Sequence, residues 1–413
     1  MRILHTSDWH MGDTLGRIDR SADIVQALEQ IANYLEEHNV DVMLATGDLF
    51  SDRLSPEKLR TAIAEIRRIF LPFLARGGTL LAISGNHDNE TFFETLRYAM
   101  DMGASIKKTG DGTHLSGRLY LAANPRLIRL TDKHNQTVQF ILMPYPTARG
   151  YLRGEKTHYN TIEEKHCAIQ QRFVATLNEL KSRLNHHQPS VLLSHINVRG
   201  TEIHNSRGHQ PFRMSEVEDV IFEPDDVPSE FAYVAYGHIH KAQEAVRGAA
   251  HIRYAGSIER MDIAESSDQK SVVLLELGKG GLLNQPTLLN LKPTPMLRFE
   301  IANPNTEIPQ LAARFKDSEP QRALVQYTLR WQPDKHNLDE ISKAIEAVFP
   351  RWYHRDLIDA SADNAQKNSF TPQRVQDVVN TVRQYLSIQV EGHSQRDELL
   401  ALAEAMLAEE VWK

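Results

Sequence analysis

The sequence predicts an α/β fold built around a parallel sheet, and three observations point that way. Short apolar runs alternate with amphipathic helical stripes through the first hundred residues. The runs are continuously apolar rather than alternating, the pattern of strands buried on both faces. Five polar motifs each follow directly on such a run, where the carboxyl ends of parallel strands open onto a ligand crevice.

Residues 2–7 read as the first strand, turning at Asp8. Ile24, Leu28, Ile31, Ala32 and Leu35 then recur at helical spacing. Residues 42–45 form a second strand that runs into Gly47-Asp48, and residues 79–83 a third that runs into Gly85-Asn86. Between them, 56–74 is a helix with Pro56 at its start and Leu59, Ile63, Ile66 and Phe70 on one face. From 104 to 146 the pattern changes to short strands with turn signals, 138–143 among them. A helix over 162–184 follows, then strands at 191–193, 231–235, 252–254 and 272–277. Lys292-Pro293-Thr294-Pro295 reads as a stiff linker and as a domain boundary. Beyond it lies a small α+β module, with strands at 296–301, 323–329 and 352–357 and helices at 307–315 and 338–348. A polar stretch at 363–369 leads to two amphipathic helices within 371–413, the second opened by Ser394 and Asp397 as a capping box.

Composition narrows the class. The chain has 413 residues, 41% hydrophobic and 24% charged, as in ordinary globular proteins of more than one domain. A single cysteine, Cys167, excludes an internal disulfide and any multi-cysteine zinc site. It fits a reducing compartment, and a cytoplasmic location is expected. No apolar run approaches the roughly 20 residues of a membrane helix, so no membrane association is expected. The N-terminal residues read as a strand rather than as a signal peptide. A net charge of −7 argues against a protein that coats nucleic acid by global basicity.

The strand-end motifs are Asp8-Trp9-His10, Gly47-Asp48, Gly85-Asn86-His87-Asp88, Ser194-His195 and Gly237-His238-Ile239-His240. Their donors are carboxylate, amide oxygen and imidazole, a set that suits manganese, with zinc, iron or magnesium less favoured. The number of donors fits two metals, with Asp48 as the bridging carboxylate. One cluster takes Asp8, His10 and His240, the other Asn86, His195 and His238. Paired metals ~3.5–4 Å apart are the arrangement for phosphate-ester hydrolysis. In the D-x-H and H-x-H pairs, residues two apart on an extended segment point the same way. Glycines before Asp48, Asn86 and His238 permit sharp turns. His87 is placed to protonate the leaving oxygen, with Asp88 holding its ring.

This ordered set resembles the calcineurin-like metallophosphoesterase superfamily, whose signature runs D-x-H, G-D, G-N-H-[DE], H, G-H-x-H. Within it, Ile3-Leu4-His5-Thr6-Ser7-Asp8-Trp9-His10, Gly47-Asp48-Leu49-Phe50, Met143-Pro144-Tyr145-Pro146 and Tyr254-Ala255-Gly256-Ser257 resemble the SbcD family of DNA-repair nucleases. The likeness covers residues 1–291 by motif and the remainder by layout. It implies an α/β, four-layer α-β-β-α metallophosphoesterase fold with a small α+β capping domain and a C-terminal helix pair. The domains would be 1–291 (nuclease), 296–360 (cap) and 371–413 (partner-binding helices).

The resemblance further implies a manganese-dependent DNA nuclease in double-strand break repair, an exonuclease on duplex ends and an endonuclease on single-stranded or hairpin DNA. Two Mn²⁺, or Mg²⁺ or other divalent ions, would be held by Asp8, His10, Asp48, Asn86, His195, His238 and His240, with His87 catalytic. The partners implied are DNA, an SbcC-type coiled-coil ABC ATPase on the C-terminal helices, and a second copy packed through 56–74 and 92–102. Arg53, Lys58, Arg60, Arg199, Arg207 and Arg213 flank the expected crevice as DNA contacts. One departure stands out: many relatives carry His where this chain has Ser51. Two other functions compete, a phosphodiesterase for small molecules and a non-catalytic scaffold bridging DNA and an ATPase.

Overall fold

The computed structural model describes residues 1–52, 54–103, 108–109, 112–113, 118–154, 157–202, 219–226, 228, 230–315, 319–360 and 396. The chain divides into two units, Met1–Leu329 with Asp339–Asp356, and Arg330–Leu338 with Leu357–Lys413. In the first unit one sheet has seven strands and another has six. The seven-stranded sheet runs in the order Gly281–Leu282, Ser271–Gly278, Arg2–Thr6, Val42–Thr46, Thr79–Ile83 and Leu119–Ala122, with Thr287–Asn290 also paired to Ser271–Gly278. The second runs Gln243–Glu244, Ile252–Tyr254, Tyr233–Gly237, Ser190–His195, Thr137–Met143 and Arg126–Thr131.

Pairing is parallel through the middle of both sheets, as the apolar runs predict. Both sheets also carry antiparallel strands that were not expected. Ser271–Gly278 lies against the first strand with Arg2 opposite Glu276, and Arg126–Thr131 lies against Thr137–Met143. A strand buried on both faces reads the same in either direction, so its composition does not reveal its sense.

Alternation along each strand sorts side chains into layers. Ile3, Val42, Leu44, Leu81 and Ile83 enter a core shared with Phe140, Leu142, Val191, Leu193 and Ala235 of the second sheet. Their neighbours Leu4, Met43, Ala45, Leu80 and Ala82 face the other way, onto Ile24, Leu28 and Ile31 of the helix Ser21–Glu37 and Phe70 and Phe73 of the helix Pro56–Ala75. On the far side, Ile141, Leu192 and Val234 pack with Ile169, Phe173, Leu177 and Leu180 of the helix Ile162–Ser182. The layers are therefore α-β-β-α. Fully burying each of these large apolar side chains is worth roughly 1.5–3 kcal/mol. Local chemistry starts the helices: the Ser55 hydroxyl accepts the Lys58 amide with Pro56 next in line, and the Thr161 hydroxyl accepts the Glu164 amide.

Met296–Ile301, Leu324–Trp331 and Trp352–Asp359 form a further three-stranded sheet, accompanied by the helices Pro304–Arg314 and Leu338–Val348. The Pro-rich segment before it is no free spacer. Thr294 is fully buried, and its amide and hydroxyl both donate to Glu259. Glu259 also takes Arg20, a wholly buried guanidinium that pairs with Asp23 at 2.7 Å. In the second unit the Gln332 amide donates to His336 Nδ1 and the Ala360 amide to the Trp331 carbonyl. The expected helix pair at 371–413 lies outside the described residues, Arg396 excepted. Among the described residues, no helix is long and apolar enough to cross a membrane.

His5 sits in the first strand, fully buried between the hydroxyls of Tyr233 (2.9 Å) and Thr46 (3.0 Å). Burial, with the Arg253 charge adding to it, pushes its pKa from 6.5 down to about 3. The unfolded imidazole takes up a proton near 6.5 and the folded one only near 3, so between those values the unfolded state binds more protons. Acid therefore favours unfolding through this residue. In urea unfolding at pH 7 and pH 5, the wild-type protein should lose up to ~1.4 kcal/mol per pH unit relative to His5→Gln. Equal losses in both proteins would contradict this.

Candidate metal centre

Arg2–Thr6, Val42–Thr46 and Thr79–Ile83 from one sheet, and Ser190–His195 and Tyr233–Gly237 from the other, deliver the strand-end motifs to one cluster. Asp48 lies in it, 1% exposed, with its Oδ2 3.3 Å from His195 Nε2, 3.9 Å from His10 Nε2 and 4.0 Å from His87 Nε2. On one side, His10 Nε2 faces His240 Nε2 at 3.3 Å, and His240 Nε2 is 3.9 Å from Asp8 Oδ1. On the other, Asn86 Oδ1 lies 2.9 Å from His195 Nε2 and 3.0 Å from His238 Nδ1. All seven residues expected as ligands, and His87, are thus brought together.

The backbone that aims four of them is left-handed, not extended. Among the described residues six non-glycine residues have positive φ, and four of them are Asp8 (51°), His10 (48°), Asp48 (50°) and His238 (95°). Such conformations cost of order 1–3 kcal/mol each and persist where surrounding structure holds them. Here the Asp8 and His10 amides donate to the carbonyls of Gly47 and Asp48, locking the two loops together. The extended-segment account of the D-x-H and H-x-H spacings is therefore replaced by sharp corners. The glycines also act differently than expected. Gly47 has φ 96°, a true turn requirement, but Gly85 is needed for close approach, since a Cβ there would lie 2.1 Å from Asp48 Oδ1.

Electrostatics bind the cluster together. Burial works to raise the Asp48 pKa, but the His195, His87 and His10 imidazoles hold the carboxyl well below its usual range. Burial likewise opposes charge on His195, and the Asp48 carboxylate outweighs it, lifting the imidazole to about 9. Asp8, His10 and His240 each offer one ligand atom within 4.8 Å of the others, and so do Asp8, Asp48 and His195, all of them buried. Facing imidazole nitrogens and carboxylates are the donor chemistry of a divalent cation, and the residues fit one.

Asp88 requires a correction. Expected to hold the His87 ring, its carboxylate instead accepts the amides of Gly85 (2.9 Å), Phe50 (2.9 Å) and Leu49 (3.2 Å). It clamps the Asp48 loop to the Asn86 loop. Burial first, then the Asp48 charge, raises its pKa to about 7 against the pull of those amides. His87 Nδ1 is held by Asp52 Oδ2 at 2.7 Å. Asp52 is half-exposed and lies four residues after Asp48, on the same loop. Two other buried acids were missed: Asp219 against His238 and Glu265 against His240, neither in a recognisable motif. Ser51 donates its hydroxyl to Asp13 at 3.2 Å. Of the expected DNA contacts, Lys58 pairs with Asp19 and Arg199 with Glu223, both on the surface. Arg53, Arg207 and Arg213 lie outside the described residues.

Two facing mixed sheets with this cluster at their strand ends are the arrangement of a metal-dependent phosphoesterase, and comparison with known families agrees. The family model for calcineurin-like phosphoesterases matches residues 1–242, and the chain belongs to that family. More particularly, it is similar to the D subunit of the nuclease SbcCD from three bacteria. It is 26% identical to that of Bacillus subtilis (strain 168) over 363 residues, covering 86% of this chain and 85% of the relative. It is 25% identical to that of Escherichia coli (strain K12) over 328 residues, covering 75% and 74%. It is 28% identical to that of Rhodobacter capsulatus over 327 residues, covering 76% and 75%. The resemblance to the SbcD family thus extends over most of the chain.

Gly85→Ala tests how tightly the cluster is drawn. The added methyl must displace Asp48, so where a divalent cation such as Mn²⁺ raises the Tm of the wild-type protein, the variant should lose that rise while keeping its far-UV circular dichroism. An unchanged Mn²⁺ response would show that the two loops can separate freely.

Proposed function

We propose that the chain is a metal-dependent DNA nuclease of the SbcD type that cleaves phosphodiester bonds, as an exonuclease on duplex ends and an endonuclease on single-stranded or hairpin DNA. The observation that carries this reading is the pairing of two donor clusters about Asp48 with His87 at their edge, 16% exposed at its side chain. The names of the relatives support nucleic acid as the substrate.

Asp8, His10, Asp48 and His240 would hold one cation, and Asp48, Asn86, His195 and His238 the other, with manganese first and magnesium or another divalent ion as substitutes. Bound there, two such ions supply Lewis-acid neutralisation of the phosphate and acidify the attacking water. His87 does the proton work. Its Nδ1 rests on the Asp52 carboxylate, which keeps a proton on that nitrogen. Its Nε2 is then turned toward the cluster, 4.0 Å from Asp48, where a proton can pass to the departing oxygen. Lys58 and Arg199 would exchange their acidic partners for DNA phosphates, joined by Arg53 and Arg207, with affinity falling as salt rises.

The same reading includes a homodimer through 56–74 and 92–102. Leu71 and Tyr98, which lie on the helices Pro56–Ala75 and Glu90–Gly103, are 45% and 58% exposed and support it. It also includes an SbcC-type ATPase bound by the helices of 371–413, following the nuclease domain 1–291 and the cap 296–360.

The test is an assay on end-labelled duplex, hairpin and single-stranded DNA with manganese, magnesium or chelator, with and without the candidate ATPase. Manganese-dependent cleavage abolished by chelator is the expected outcome. Turnover of small phosphodiesters without any cleavage of DNA would overturn the proposal. His87→Ala should lower cleavage about 10²- to 10⁴-fold while Mn²⁺ binding persists. Asp52→Asn should lower it about tenfold and leave unfolding by urea almost unchanged, because that carboxylate is half-exposed.

A further inference from the structure

Two buried acids stand directly behind the paired histidines His238 and His240. Asp219, 7% exposed, places Oδ2 2.6 Å from His238 Nε2 and accepts the Tyr145 hydroxyl on Oδ1 at 2.9 Å. Glu265, 2% exposed, places Oε1 2.9 Å from His240 Nδ1 and takes the ammonium of Lys270 on Oε2 at 2.7 Å. An ionised carboxylate only accepts, so the ring nitrogen facing it carries the proton and the opposite nitrogen keeps its lone pair. His238 therefore presents Nδ1, and His240 presents Nε2.

Those nitrogens look in different directions. His238 Nδ1 is 3.0 Å from Asn86 Oδ1, while His240 Nε2 is 3.3 Å from His10 Nε2. We propose that Asp219 and Glu265 are positioning residues that lock His238 and His240 in opposite tautomers, sending two ligands only two residues apart to different cation positions. This rests on the two-cation reading above and assigns the shell behind it.

The two supports are unequal in charge. The Lys270 ammonium, 2% exposed, pairs with Glu265, lies 3.5 Å from Asp268, and is further bonded to the Ser257 hydroxyl and the His240 carbonyl. Asp219 is held by the neutral Tyr145 hydroxyl and Asn197 side chain. The Asp8, His10 and His240 position has a carboxylate of its own besides Asp48, whereas Asn86, His195 and His238 are neutral donors. Among the described residues no lysine or arginine pairs with Asp219, and its charge thus lies behind the position whose own ligands carry less negative charge. Loss of Asp219 should cost more cation affinity than loss of Glu265.

Asp219→Asn is the decisive variant. It preserves shape, but its amide can donate to His238 Nε2, which moves the ring proton to Nδ1 and blocks that ligand. The full-length protein is titrated with Mn²⁺ by calorimetry and followed by electron paramagnetic resonance. The wild-type protein should bind two ions and show a spin-coupled spectrum. Asp219→Asn should bind one of them about 10- to 100-fold more weakly and show the six-line signal of an isolated ion. Glu265→Gln should give a smaller loss, and ¹⁵N shifts of labelled histidine should report one ring changing tautomer in Asp219→Asn. Urea unfolding of the cation-free proteins separates this from a folding defect. A folded Asp219→Asn protein that binds both ions as tightly as wild type overturns the proposal and leaves the two-cation reading intact. A wild-type protein that binds no Mn²⁺ overturns both.

Discussion

Asp48 is a carboxylate removed from water at the place where the ends of five strands meet, and the rest of the site is arranged around that fact. A lone buried carboxylate would be protonated; this one is kept charged by His195, His87 and His10. Those three rings come from both sheets, two from loops and His195 from the end of its strand. The facing of the two sheets is therefore a condition for the site as well as for the core. Leu44 and Ile83 point into the layer between the sheets, and the chain turns from those same strands into Asp48 and Asn86.

Holding such a cluster requires strain and a means of resisting it. Asp8, His10, Asp48 and His238 adopt left-handed backbone that would not persist in a free loop. Interloop bonds from the Asp8 and His10 amides, and the three amides gathered by Asp88, supply the resistance. Around this lies a further layer in which Asp52, Asp219 and Glu265 each take one nitrogen of a histidine. Orientation is set in that outer layer, because a ring with one nitrogen engaged has only one left to offer.

The residues of the cluster were legible because their spacings are short and each motif follows an apolar run; Asp8 and His10, Asn86 and His87, and His238 and His240 declare themselves as pairs. Asp88 was misread for a related reason. Adjacent to His87 in sequence, it is turned away from the ring toward the backbone, while Asp52, 35 residues off, comes to hold it. Side chains of adjacent residues leave the backbone in different directions, so adjacency there is a poor guide to contact.

By itself the sequence determined the longer strands and helices of the two-sheet core, since apolar periodicity and helix caps act over a few residues, but not short strands such as Gln243–Glu244 and Thr287–Asn290. It also determined the family and the chemistry of the donors, which reside in residue type and short spacing. Only the tertiary structure decided that Ser271–Gly278 runs antiparallel beside the first strand, and which face of each strand meets the other sheet, because strands buried on both sides carry no polar face to mark it. It alone also decided which acid stands behind which histidine. Asp219 and Glu265 sit 19 and 25 residues from the rings they hold, and packing brought them there.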